Sequence, residues 1–65
     1  MELNKTTIEA AKLGSNTDVM SLINHIDIDD NLAERLQRMS TQDSTALEAR
    51  HIVLNLAEAQ LPTSC

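Results

Sequence analysis

Glu48 and His51 stand three residues apart, the Glu-x-x-His spacing that puts two metal ligands on one helix face in di-iron bundles. That chemistry needs a second such pair and further glutamates turned into the same bundle interior. The chain has two histidines in all and no second Glu-x-x-His, so a solvated helix face is the expected role. Asp27, Asp29, Asp30 and Asn31 gather oxygen ligands as a calcium loop does. An EF-hand loop also requires a turn glycine and a bidentate glutamate at its twelfth position, and neither is present. The cluster reads instead as the end of one helix and the cap of the next. Cys65, the one cysteine, has no partner for an internal disulfide and no Cys/His neighbour at metal-binding spacing. Serines and threonines fall mostly at cap and turn positions, and a single glycine rules out a glycine-rich phosphate loop. No catalytic, cofactor-binding or metal-ligating residue is expected, and the chain is not expected to be an enzyme.

Function must then lie in the surfaces that the helical elements present. Four helices are expected. The first starts at Thr6 or Thr7, with Thr6 and Glu9 spaced as a capping box, and closes at Gly14. Ile8 and Ala11, with Ala10 and Leu13 beside them, would face inward. Ser15-Asn16-Thr17 starts the second, whose Val19, Met20, Leu22, Ile23 and Ile26 follow an amphipathic pattern. Asp29 or Asp30 caps the third, with Leu32, Ala33, Leu36 and Met39 as its buried stripe. Thr45 and Glu48 offer a capping box for the last helix, which Pro62 ends. No strand signal stands out.

The last helix, within Ser44 to Leu61, organises the rest. On a helical wheel its apolar residues cover roughly 240°, against the roughly 100° stripe of an ordinary surface helix. A helix that apolar needs neighbours on more than one side. Ile52, Val53, Leu56 and Ala59 are expected to face the chain's own short helices. Leu47, Leu54 and Leu61, at seven-residue spacing, are expected to form an outward face with Arg50 and Ala57, docking a second subunit or another protein. Leu54→Asp is the substitution aimed at that face. Arg50 and Gln60 interrupt the apolar arc and are expected at its seams, with their stems buried.

From Thr7 to Ile23, TIEAAKLGSNTDVMSLI, the chain resembles a helix-turn-helix. Ala10 stands at the tight crossing, Leu13 three residues later and Gly14 at the turn, with Met20 and Ile23 where the second helix packs back. The resemblance implies that Asn16, Thr17, Asp18 and Ser21 would face the major groove of DNA. The charges oppose it: Thr17 to Ile26 contains no Lys or Arg, and Asp18 would approach phosphate oxygens.

At 65 residues the chain is near the size where one core struggles to bury enough surface. It has no aromatic residue, so the core is built from nine Leu, five Ile, two Val and smaller pieces. Dimerisation is the simplest stabiliser of such a chain. The expected fold class is all-α, a small bundle of three short helices packed on one longer C-terminal helix and paired as a dimer. It would be a single helical domain, 1–65, with flexible ends at 1–5 and 62–65. The net charge of −5 opposes phosphate polyanions and favours a basic partner surface. Asp27, Asp29, Asp30, Glu48 and Glu58 are the expected acidic rim. With no signal peptide or apolar span, the expected location is cytoplasmic and no membrane contact is expected. The expected function is a protein–protein interaction module, a regulator of antirepressor or inhibitor type. Its partners would be a second copy of itself, a larger protein with a basic surface, or both. Alternatives are a minimal helix-turn-helix DNA-binding regulator and a structural or assembly adaptor.

Overall fold

The computed structural model describes residues 3–61, and within them the chain is all-helical. Helix α1 is Lys5–Leu13, α2 is Asn16–Ser21, a 3₁₀ segment covers Leu22–His25, α3 is Asp30–Ser40 and α4 is Ala46–Ala59. The expectations for Pro62, Cys65 and the 62–65 end lie outside the described residues, as do those for Met1 and Glu2.

The start of α1 is set one to two residues earlier than expected. Asn4 caps it: its Oδ1 accepts the Thr7 N–H at 2.9 Å, while Thr7 Oγ1 accepts the Asn4 N–H at 2.9 Å. This reciprocal pair is a capping box built from an amide and a hydroxyl, and it displaces the Thr6–Glu9 pairing. Ile8 and Ala11 are buried, but Leu13 is 91 % exposed. Five residues beyond Ile8 and two beyond Ala11, Leu13 is turned about 140° and about 200° from them on a 3.6-residue helix. It points away from the core that they enter.

Gly14 closes α1 with an N–H bond to the Ala11 carbonyl at 3.0 Å. Its φ of −96° is not left-handed, so backbone freedom is not what glycine supplies here. A Cβ at this position would collide with the Asp18 carboxylate, which folds back over the turn. There Asp18 Oδ2 accepts the Ser15 N–H at 3.0 Å, holding the entry to α2.

The expected single helix through Ile26 is instead α2 followed by the 3₁₀ segment. Val19 and Leu22, then Ile23 and Ile26, are buried in pairs three residues apart. Ser21 also donates its hydroxyl to the Asp18 carbonyl at 2.6 Å, engaging an acceptor of the α-helical ladder.

Asp29 caps α3 as expected, accepting the Asn31 N–H at 3.0 Å. The Thr45–Glu48 box does not form. Thr45 has helical torsions and donates its hydroxyl to the Met39 carbonyl at 2.7 Å, closing the link between α3 and α4.

Helix α4 touches α1, α2, the 3₁₀ segment and α3. Ala49, Val53 and Ala57, spaced four residues apart, are fully buried, and their small side chains let neighbouring helices approach closely. Ile8, Val19, Leu22, Leu36 and Val53 are the largest fully buried side chains. Each contributes about 1.5–3 kcal/mol from burial.

Candidate interaction surfaces

The five residues expected to form one outward face of α4 do not share a surface. Leu47 is 64 % exposed, whereas Leu54 is 7 % exposed and Ala57 fully buried, both inside the chain's own core. Leu61 is half-buried and packs against that core. Arg50 is half-buried and tied down within the chain. Its guanidinium donates to Asn16 Oδ1 at 3.1 Å and to the Ala11 and Lys12 carbonyls at 3.3 and 2.5 Å. Two of those acceptors are carbonyls in the last turn of α1, and that of Ala11 also accepts the Gly14 N–H.

The expected inward set is correspondingly loosened. Val53 is fully buried, but Ile52 and Leu56 are only half-buried and Ala59 is exposed. The apolar arc of the wheel includes Leu47 and Ala59, which are exposed, and it does not say which part the short helices cover. Taking Val53 as the centre, Leu54 and Ala57 turn one way by about 100° and 40°, and Ile52 and Leu56 turn the other way. The Arg50 bonds fix α1 to the Leu54 side, which leaves the Ile52 and Leu56 side partly open.

Helix α3 packs against α4, and its Leu32 and Met39 are also half-buried. These two flank the buried Leu36 on one side of α3, and Arg35 stands exposed beyond them. Leu32 and Met39 of α3 and Ile52 and Leu56 of α4 are thus four half-buried side chains on two helices that pack together, with Arg35 exposed on α3 and Glu48 exposed on α4.

The other flank of α3 is grooved. Against α2 and the 3₁₀ segment lies a hollow of about 460 Å³ with no charged residue in its lining. Ser21 and Asn24 lie on one wall, Gln37, Ser40 and Thr41 on the other, with the half-buried Met20 among them. A second hollow of about 380 Å³ shares Asn24 and Gln37 and continues past Ile26, Ile28 and Ala33 to Asp30 and Glu34. The two hollows are open to the surface and adjoin at the exposed amides of Asn24 and Gln37.

The acidic rim is dispersed. Asp29 is engaged in capping α3. Glu58 pairs with Lys12 at 3.0 Å, and Lys12 also reaches Glu9 at 3.5 Å. The Glu58 hydrogen bond is the largest cause holding the Lys12 ammonium above its ordinary pKa, opposed by desolvation and supported by the charges of Glu58 and Glu9. Asp27 is exposed while its backbone is clasped by Gln60, whose Oε1 accepts the Asp27 N–H at 2.6 Å and whose Nε2 donates to the Asp27 carbonyl at 2.8 Å. Asp30 and Glu48 are exposed and make no ion pair among the described residues. Glu48 and His51 share the solvated face of α4, and no group of three or more potential ligands is placed to hold a metal among the described residues.

The Thr7–Ile23 segment does fold as two helices about a turn. The residues that the helix-turn-helix resemblance would put against DNA are largely engaged inside the chain. Asn16 accepts from Arg50 and donates to the Ala46 carbonyl at 3.3 Å, Asp18 holds Ser15, and Ser21 bonds the Asp18 carbonyl. The second helix is six residues long and carries no cation. No described helix is long and apolar enough to cross a membrane. Comparison with protein-family models, with curated proteins and with solved structures found no match for this chain.

Proposed function

We propose that this chain is a small helical protein–protein interaction module that pairs with a second copy of itself and acts as a regulator, of antirepressor or inhibitor type, by binding another protein. The observation that carries the pairing is the half-buried seam of Leu32, Met39, Ile52 and Leu56 between α3 and α4. A chain this short, without aromatic residues, gains most from covering such a seam. The seam replaces the Leu47, Leu54 and Leu61 face as the site of association.

A two-fold axis running along the seam lays α3 of one copy over α4 of the other, as isologous symmetry allows. Arg35 at the α3 edge then approaches the α4 edge that carries Glu48, twice per dimer. Opposite charges on the two edges favour this register over a shifted one. The acidic net charge supports a basic surface on the regulated protein and opposes nucleic acid, the alternative reading.

Sedimentation equilibrium over a range of micromolar concentrations tests the pairing. Self-association that is abolished by Leu56→Glu, with helical content retained, is the expected result. A chain that stays monomeric across the range removes this reading.

A further inference from the structure

We propose that α1 is a strap: it detaches and melts as a unit at the Gly14–Ser15 link while α2, α3 and α4 stay packed. Opening takes the cover off one turn of α4. It does not depend on the pairing of two copies through α3 and α4.

Among the described residues, the polar ties from residues 3–14 to residues 15–61 are few, and water reaches them. Arg50 donates to the Ala11 and Lys12 carbonyls, and Lys12 pairs with Glu58 at 3.0 Å. Release of α1 buries none of these groups without a partner. Arg50 is half-buried and keeps its bond to Asn16, while Lys12 and Glu58 are exposed, where an ion pair adds little. The rest of the hold is apolar. It rests on the buried Ile8 and Ala11, with the half-buried Leu3 before them, whereas Ala10 and Leu13 are exposed.

The hydrogen bonds divide cleanly at the link. The Gly14 N–H bonds back to the Ala11 carbonyl, and the Ser15 N–H bonds forward to the Asp18 carboxylate. The Asn4–Thr7 cap likewise lies wholly within the strap. The nine residues of α1 are too few to hold a helix alone in water, so α1 melts once it leaves α4.

Lys12 is tied to both Arg50 and Glu58, which stand one turn on either side of Leu54. The end of α1 therefore lies across the turn that carries the buried Leu54. Leu47 is already exposed and Leu61 half-buried. Opening joins the three leucines, at seven-residue spacing, into one apolar stripe.

Native-state hydrogen exchange followed by NMR tests the strap. The amides from Ile8 to Gly14 should exchange through one shared opening, about tenfold or more ahead of the slowest amides of α4. Their urea dependence should be shallower, because the opening exposes less surface than global unfolding. Leu36→Val, a buried change in α3, should speed the slowest α4 amides about fivefold and leave those of α1 unchanged. Protection that falls away stepwise from Gly14 towards Lys5 is end fraying and overturns the strap. Equal acceleration of α1 and α4 in Leu36→Val overturns it as well.

Discussion

Arg50 donates its Nη1 proton to Asn16 Oδ1 at 3.1 Å, across 34 residues of sequence, and the same Asn16 side chain donates to the Ala46 carbonyl. One guanidinium and one amide thus join the end of α1, the start of α2 and the start of α4. Arg50→Met keeps the aliphatic stem but removes the donors to Asn16, Ala11 and Lys12. Urea denaturation should show a loss of about 1–2 kcal/mol, because water partly replaces the lost partners at this half-exposed site. Arg50→Lys should recover only part, since an ammonium lacks the fork that reaches the Asn16 amide and the α1 carbonyls together.

Gly14 and Asp18 are coupled through space. Gly14→Ala should cost about 1 kcal/mol by pushing the Asp18 carboxylate off the Ser15 N–H, the same bond that Asp18→Ala removes. In the Asp18→Ala background the alanine meets no carboxylate. There Gly14→Ala should be neutral or stabilise by up to about 1 kcal/mol through the unfolded state. A double-mutant cycle by thermal melting reads the coupling, and strict additivity would contradict it.

Lys12 adds a small alkaline pH dependence to the fold's stability. Its folded-state pKa is raised above the ordinary 10.5, chiefly by the Glu58 hydrogen bond. A raised lysine contributes stability that is fully present below 10.5 and is lost as pH climbs through the folded-state value. The stability difference between the native chain and Lys12→Met should therefore be flat from neutral pH to about pH 9 and shrink above 10.5. Glu58→Gln should remove most of that slope, and added salt should weaken it, because the pair is exposed.

Leu54→Asp should unfold the chain rather than detach a partner. Leu54 is 7 % exposed inside the core, and burying an unpaired carboxylate there exceeds what a domain this size can absorb. Leu47→Asp, at a 64 % exposed position, should leave the melting temperature nearly unchanged. Circular dichroism melting separates the two, and a folded Leu54→Asp would contradict the packing described for α4.

The helices themselves were legible in the sequence, as were several of their polar anchors. Asp29 capping α3 follows from residue type at a helix start, and the half-buried Arg50 follows from its interruption of an apolar arc, whereas Gln60, expected with a buried stem, is exposed. What periodicity misses is competition between partners. Thr45 has the spacing of a capping box but finds the Met39 carbonyl instead, and Thr7 displaces Glu9 because Asn4 sits at the cap. The burial of Leu54 and Ala57, expected on an outward face, escapes the wheel for a related reason. An arc spanning most of a helix says that two sides are covered without ordering them, and that order comes from the Arg50 bonds to α1, 38 and 39 residues away. The two hollows beside α3 had no sequence signal, since Asn24 and Gln37, which line both, belong to different helical patterns.

The charge edges of the seam permit the most direct test of the proposed pairing. Arg35→Glu and Glu48→Arg should each weaken self-association, and the two together in one chain should restore it, with the light-scattering mass returning to twice the 7.2 kDa of a single chain. A double variant no better paired than either single change, or a native chain that elutes at 7.2 kDa, would contradict association through α3 and α4.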